Sequence, residues 1–244
     1  MQLSTSNSIG LNVGPSGRAI AQPMDVDLLE ALYQHTSLER VSSAQYLAMS
    51  LWFLERELRG FSSFFKKESL SEQEHGFNFA KYMIARGQTV ELEEVTKPIQ
   101  EWKTVQELVT LSFQMEADVT TSVQQLYSLA ERSNDTRTTV FLDPVIDEQI
   151  KSEDEMAYLL GKVKFANNDP SALFIIDNEL IHQRCDENWN SYEERYKETD
   201  SFEVFEEVDR KYSEFKRSAQ KEVSYLVKEF ELSLIHISEP TRPY

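Results

Sequence analysis

The sequence predicts an all-α protein: a four-helix bundle with one long crossover connection and a short fifth helix. Three observations carry this reading. Apolar residues recur at seven-residue spacing, close to two helical turns, in four long segments. Breakers are scarce: 7 glycines and 7 prolines among 244 residues are too few for a many-turned β protein. The segments are joined by a short link, a long link and a short link, and short links make antiparallel neighbours.

The elements follow in order. Residues 1–24 are rich in Ser and Gly, hold no acid before Asp25, and read as a flexible N-terminal tail. The first helix is expected over Val26–Leu58, with Asp25 as its N-cap and Gly60 as the breaker. The second is expected over Phe61–Arg86 and is stopped by Gly87. Gln88–Trp102, with Pro98 and no strong periodicity, is the long connection. The third helix spans Thr104–Arg132 and ends at Ser133-Asn134-Asp135, a turn signal. The fourth spans Thr136–Phe165, with a kink expected near Pro144. Asn167-Asn168-Asp169-Pro170 then stops one helix and starts another: Asp169 caps, and Pro170 takes the first position. This fifth helix carries Leu173, Phe174, Ile175, Ile176 and Leu180, and the bundle domain covers residues 25–183. Residues 184–231 read as an acidic, helical C-terminal extension, with Phe205, Val208, Tyr212 and Phe215 at helical spacing. Residues 232–244 begin LSLIHISEPTR, which resembles the translation of a transposase adapter from DNA library preparation. They are expected to be an artefact outside the fold.

Composition excludes several functions. There are 25 Lys and Arg against 42 Asp and Glu, a net charge of -17. That balance opposes general nucleic-acid binding and docking on anionic membranes, and it suits the handling of cations. A single cysteine, Cys185, excludes an intramolecular disulfide framework and a thiolate zinc cluster. No apolar run approaches the ~20 residues that span a bilayer.

The informative feature is a repeated misfit. The stripes read Leu32, Glu39, Tyr46, Phe53 in the first helix and Phe65, Glu72, Phe79 in the second. They read Val109, Glu116, Val123, Ala130 in the third and Leu142, Gln149, Met156, Val163 in the fourth. Each puts one polar residue on a face that otherwise reads as core. His75, three residues after Glu72, lies on the same helix face as that glutamate. Burying unpaired carboxylates is expensive, and a bound dication is the natural partner for several that converge. Carboxylates with one imidazole suit iron or manganese, with zinc as a competitor. Trp52, Trp102, Tyr82 and Tyr127 read as packing residues, His35 as a satisfied core histidine, and Asp118 and Glu131 as solvated.

At these residues the sequence resembles the non-haem ferritins of prokaryotic type, over about Gly14 to Gln183. The stretches that carry the resemblance are SLERVSSAQYLAMS (37–50), SEQEHGFNFAKYMIARG (71–87), FQMEADVT (113–120) and the run from Thr136 to Leu180. The last looks close to ferritins of marine cyanobacteria and algae. The resemblance implies a ferritin-like bundle that oxidises Fe(II) with dioxygen at an intrasubunit diiron centre and deposits ferric mineral in a homo-oligomeric cage of 24 subunits. It implies iron ligation by Glu39, Glu72 as the bridge, His75 and Glu116. Gln149 would sit beside the second iron, and Tyr46 would supply an electron or a proton. Haem is not expected, because Gln73 stands where a haem-ligating methionine would fall. A second Glu-x-x-His is missing, since Gln149 and Ser152 occupy its positions, which weakens a rubrerythrin-like peroxidase reading. Ser71 and Lys151 replace carboxylates of a third iron site, whereas Glu148 and Glu153 remain as transient ligands. The expected location is the cytoplasm, with a plastid as the alternative. The remaining rival is a helical-bundle subunit without metal chemistry.

Overall fold

The computed structural model describes residues 11–181 together with Arg210, Glu214 and Arg217. Four long helices dominate: α1 (Val26–Leu54), α2 (Arg59–Ala85), α3 (Val105–Arg132) and α4 (Thr136–Ala166). A shorter helix, α5, occupies 170–181. α1 packs along α2, α3 packs along α4, and α1 also meets α3. This is the expected all-α bundle with one long crossover, over 86–104, and a short fifth helix.

Most helix starts follow from local chemistry. Asp25 accepts from the N–H groups of Asp27 and Leu28 at 3.0 and 3.2 Å. Thr104 accepts from Glu107 N at 3.0 Å, and Glu107 reaches back to Lys103 N at 2.9 Å. Each satisfies backbone donors that a helix start leaves unpaired. Asp169 accepts from Ala172 N at 2.9 Å and so caps α5 as its sequence predicts. α4 runs unbroken through Pro144.

The α1–α2 junction differs from expectation. α1 ends at Leu54, four residues early, and α2 starts ahead of Gly60. The stop is made by Glu57 in the left-handed region (φ 60°), with Leu58 N donating to Phe53 O at 3.1 Å. That turn is normally signalled by glycine, so a glutamate there conceals it. Gly60 has a different task. A Cβ at this position would lie 1.9 Å from the backbone oxygen of Asp177 in α5. Close approach brings the Asp177 side chain to the start of α2, where it accepts from Phe61 N at 2.9 Å. α2 has no side-chain cap of its own, and α5 supplies one.

Residues 11–24, expected to belong to a loose tail, are ordered onto the bundle. Asn12–Val13 pairs antiparallel with Ala19–Ile20, forming strands β1 and β2. The turn between them docks on the end of α2: Ser16 N and Oγ both donate to Gly87 O, at 3.2 and 2.9 Å. Gly87 itself has φ 81°, which closes α2 as the sequence suggests.

The crossover is tied to α1 at several points. Gln45 donates to Ile99 O and accepts from Ile99 N, both at 2.9 Å. Arg40 donates to Glu93 O at 2.7 Å. Along the α1–α2 seam, Ser43 and Ser69 exchange hydroxyl-to-carbonyl bonds of 2.7 and 2.8 Å. At the far end, the buried Arg86–Asp135 ion pair, 2.6 Å, clamps the α2 terminus to the α3–α4 turn.

The apolar core comes in two clusters. One gathers Phe53, Phe61, Phe65, Val109, Met156 and Val163. The other gathers Leu28, Leu32, Phe79, Met83, Leu126 and Leu142. Trp52 and Trp102 pack edge to face in the first cluster, their centroids 6.1 Å apart. The polar members of the four stripes fall between the two clusters in the stripe order.

The chain divides into two units, Met1–Arg184 and Cys185–Tyr244. In the second, Arg210, Glu214 and Arg217 are helical, and Arg210 lies 4.0 Å from Glu214 one turn on. The rest of the expected acidic extension, Cys185, residues 1–10 and the adapter-like segment 232–244 lie outside the described residues.

Candidate metal centre

Every member of the four stripes is buried. Glu39 is 1 % exposed, Glu72 4 %, Glu116 2 % and Gln149 8 %. They come from α1, α2, α3 and α4 respectively, so four rigid helices set their positions.

Glu39, Glu72 and His75 converge: one ligand atom from each lies within 4.8 Å of the others. His75 Nδ1 is 3.5 Å from Glu72 Oε2 and 4.0 Å from Glu39 Oε2. Its Nε2 faces outward, 3.3 Å from Glu148 Oε1 and 3.4 Å from Ser71 Oγ. Both Glu39 Oε2 and Glu72 Oε2 are buried without a hydrogen-bond partner. Buried carboxylate oxygens left unpaired in this way are costly in a native fold, and a cation relieves the cost.

Glu116 and Gln149 form a second group. Gln149 Nε2 donates to Glu116 Oε2 at 2.9 Å and to its backbone oxygen at 3.1 Å. The Tyr46 hydroxyl donates to Glu116 Oε1. Glu116 therefore has both oxygens engaged and stands outside the three-residue cluster, although it senses the charge of Glu72. Glu153 is held by Thr120.

Electrostatics agree with a site built for a cation. Burial and the neighbouring Glu39 carboxylate push the Glu72 carboxyl up to about 8. Burial also raises Glu39 and Glu116 above the usual carboxylate range. Burial alone would lower His75, but Glu72, Glu39 and Glu148 outweigh it and raise it to about 9. The cluster thus retains protons that a dication would displace. Tyr46 is raised well above its ordinary value by burial and by Glu116.

A cavity of about 470 Å³ adjoins the cluster between α2 and α4. Its walls include Phe79, Tyr82, Phe141, Pro144 and Val145, and Glu39, His75, Glu148 and Gln149 line it as well. His75, 24 % exposed, opens onto it.

Two residues near the site were not singled out by sequence reasoning as part of it. His35, one turn before Glu39, is fully buried and contacts it. Glu68, one turn before Glu72, is pushed up to about 8 by burial, Glu155 and Glu116. In both cases the i, i+4 relation to a stripe glutamate was the available signal.

Fold and site together define a four-helix-bundle protein with a buried carboxylate–imidazole cluster suited to a metal ion. A profile of the ferritin-like domain matches residues 29–166. The bacterial non-heme ferritin of Staphylococcus haemolyticus is 27 % identical over 161 residues, covering 66 % of this chain and 97 % of that protein. A protein of the same name from Bacteroides fragilis is 30 % identical, covering 63 % and 95 %. A ferritin of Pacifastacus leniusculus is also 30 % identical, covering 62 % and 86 %. Among solved structures, an open pore ferritin from Archaeoglobus fulgidus superposes with a TM-score of 0.63 at 27 % identity, covering 64 % of this chain and 97 % of that one. The chain belongs to the ferritin family, the iron-storage proteins of non-haem type. Among the described residues, no helix is long and apolar enough to cross a membrane.

Proposed function

We propose that this chain is a ferroxidase: it oxidises Fe(II) to Fe(III) with dioxygen at a diiron site in each subunit and passes the product to a mineral inside a homo-oligomeric cage. Glu39, Glu72 and His75, which converge, would hold one Fe(II), and Glu116, fixed by Gln149, would help hold a second together with Glu72. The observation that carries this reading is the pair of buried, unpartnered carboxylate oxygens, Glu39 Oε2 and Glu72 Oε2, beside His75 Nδ1.

Each chain residue has a task. Glu39, Glu72 and Glu116 supply negative charge that favours Fe(III) over Fe(II). Two Fe(II) give one electron each, and with two protons dioxygen is reduced to the level of hydrogen peroxide. Glu72 and His75 release protons as iron binds, close to where reduced oxygen needs them. The Tyr46 hydroxyl, hydrogen-bonded to Glu116, is placed to give a further proton or electron. Gln149 fixes Glu116 through its amide. The cavity between α2 and α4 gives substrates a route to His75. A cytoplasmic location, or a plastid one, fits this role.

The test is aerobic Fe(II) oxidation, followed optically at a few irons per subunit. A fast phase that saturates near about two irons per subunit and is lost in Glu72→Ala is expected. Absence of a fast phase in folded protein would overturn the proposal and favour a bundle without redox chemistry.

A further inference from the structure

His35 is not among the ligands proposed above, yet it is a fully enclosed polar side chain beside them. It is 0 % exposed, and its ring packs edge-on against Phe79 with centroids 4.3 Å apart. Nδ1 lies 2.8 Å from the Ser122 hydroxyl of α3. Nε2 lies 2.9 Å from Glu39 Oε1, one helical turn away. Nε2 and Glu39 Oε2 both lack a hydrogen-bond partner, although Nε2 and Oε1 are within reach of one another. One carboxylate thus has an unpaired ring nitrogen beside Oε1 and an unpaired Oε2 of its own.

The geometry points to His35 as a positioning residue: anchored by Ser122, it holds Glu39 Oε1 through Nε2–H, so that Oε2 alone faces the metal. An ionised carboxylate only accepts, so Nε2 must carry the ring proton. Nδ1 is then the acceptor, and the Ser122 hydroxyl donates to it. The carboxylate thereby sets the tautomer, and Ser122 in α3 anchors the ring of a histidine in α1 that orients a ligand in α1. Hydrogen bonds of this kind behind a ligand typically govern affinity by about 10- to 100-fold. The inference rests on the reading of Glu39 as a ligand.

The experiment is anaerobic titration of the full chain with Co(II), following first-ion affinity together with the melting temperature of each metal-free variant. His35→Leu and Ser122→Ala are each expected to weaken first-ion binding, by about 10- to 100-fold for His35→Leu. His35→Gln, whose amide N–H reaches the same oxygen, is expected to recover most of the loss. Binding of the ion associated with Glu116 should stay unchanged, a split that a purely structural role would not produce. If Glu39→Ala weakens binding while folded His35→Leu binds as the parent does, the positioning role is overturned and the ligand reading stands. If Glu39→Ala itself binds as the parent does, the ligand reading fails and the inference fails with it. Should His35→Leu not fold, Ser122→Ala decides: parental affinity overturns the role.

Discussion

Metal-stripped protein should lose stability as pH rises from about 5 to about 8, with Glu72 and Glu68 as the two principal causes. The Glu72 carboxyl is raised from 4.5 to about 8 in the fold, chiefly by burial. Between those values the folded chain keeps a proton that the unfolded chain has released, so raising the pH favours unfolding. At about 1.4 kcal/mol for each pH unit, the accumulated loss by pH 8 is ~5 kcal/mol. For a domain of this size each kcal/mol moves the melting temperature by about 2–4 °C, so the loss corresponds to roughly 10–20 °C. His75 acts in the same direction over a later window, from 6.5 to about 9, because its folded value is also raised. The assay is thermal unfolding of chelator-treated protein across this range, beside Glu72→Gln. The parent curve should fall, and the amide variant, which has no charge to bury, should fall less by roughly the stated amount. Saturating Co(II) should flatten the parent curve, because a cation bound only by the folded state stabilises it. Parallel curves for parent and Glu72→Gln would refute the reasoning.

Three further outcomes follow from the fold. Gly60→Ala should destabilise by about 1–3 kcal/mol despite the gain of ~1 kcal/mol in helix propensity, because its Cβ would collide with Asp177 O; a melting temperature at or above the parent's would contradict the α5 contact. Arg86→Ala should cost about 3–5 kcal/mol, because it strands a buried Asp135, read as a fall in the denaturation midpoint. Burial alone would raise Asp135, but Arg86 and the Thr138 N–H together hold it below 3.8, so the parent's advantage over the variant should persist above that pH and fade below it. Gln45→Ala removes both bonds to Ile99 and should cost about 1–3 kcal/mol, with faster hydrogen exchange concentrated in 86–104.

The stripes were legible because seven residues nearly close two helical turns. Leu32, Glu39, Tyr46 and Phe53 are all buried, and so are their counterparts on the other three helices. The same periodicity pointed to the candidate site, since a glutamate at a core position contradicts its own stripe. What stayed hidden depends on contacts between distant segments. The end of α1 rests on Glu57 adopting φ 60°, which no local signal announces for a glutamate. Gly60 looked like a breaker because glycine usually is one, whereas here it makes room for α5. The β1–β2 hairpin has two-residue strands, too short for a pattern, and leans on Gly87 from 71 residues away. His35 was read as a satisfied core histidine, and its Nδ1 does pair with Ser122. That the same ring also lies 2.9 Å from Glu39, one turn on in α1, was offered by the i, i+4 spacing; its anchor on Ser122 needed α1 and α3 to be side by side.

The polar layer costs stability, and the cation binding proposed above is what that cost would serve. Replacing buried ionisable groups by well-packed apolar ones is often neutral or stabilising. A bundle selected for stability alone would therefore continue each stripe with leucine. The fold tolerates the layer because aromatic packing is dense beside it. Phe53 stacks between Phe61 and Phe65, with centroids 4.7 and 5.4 Å away, and all three are fully buried. At about 1.5–3 kcal/mol for each buried ring, these three alone offset a penalty of ~5 kcal/mol at Glu72. Phe65 also touches Tyr46, centroids 5.9 Å apart, so the packing that offsets the penalty also holds the tyrosine whose hydroxyl meets Glu116. Stability and the placement of the candidate ligand Glu116 are thus coupled through one aromatic stack: loosening it should degrade the proposed site before it unfolds the bundle.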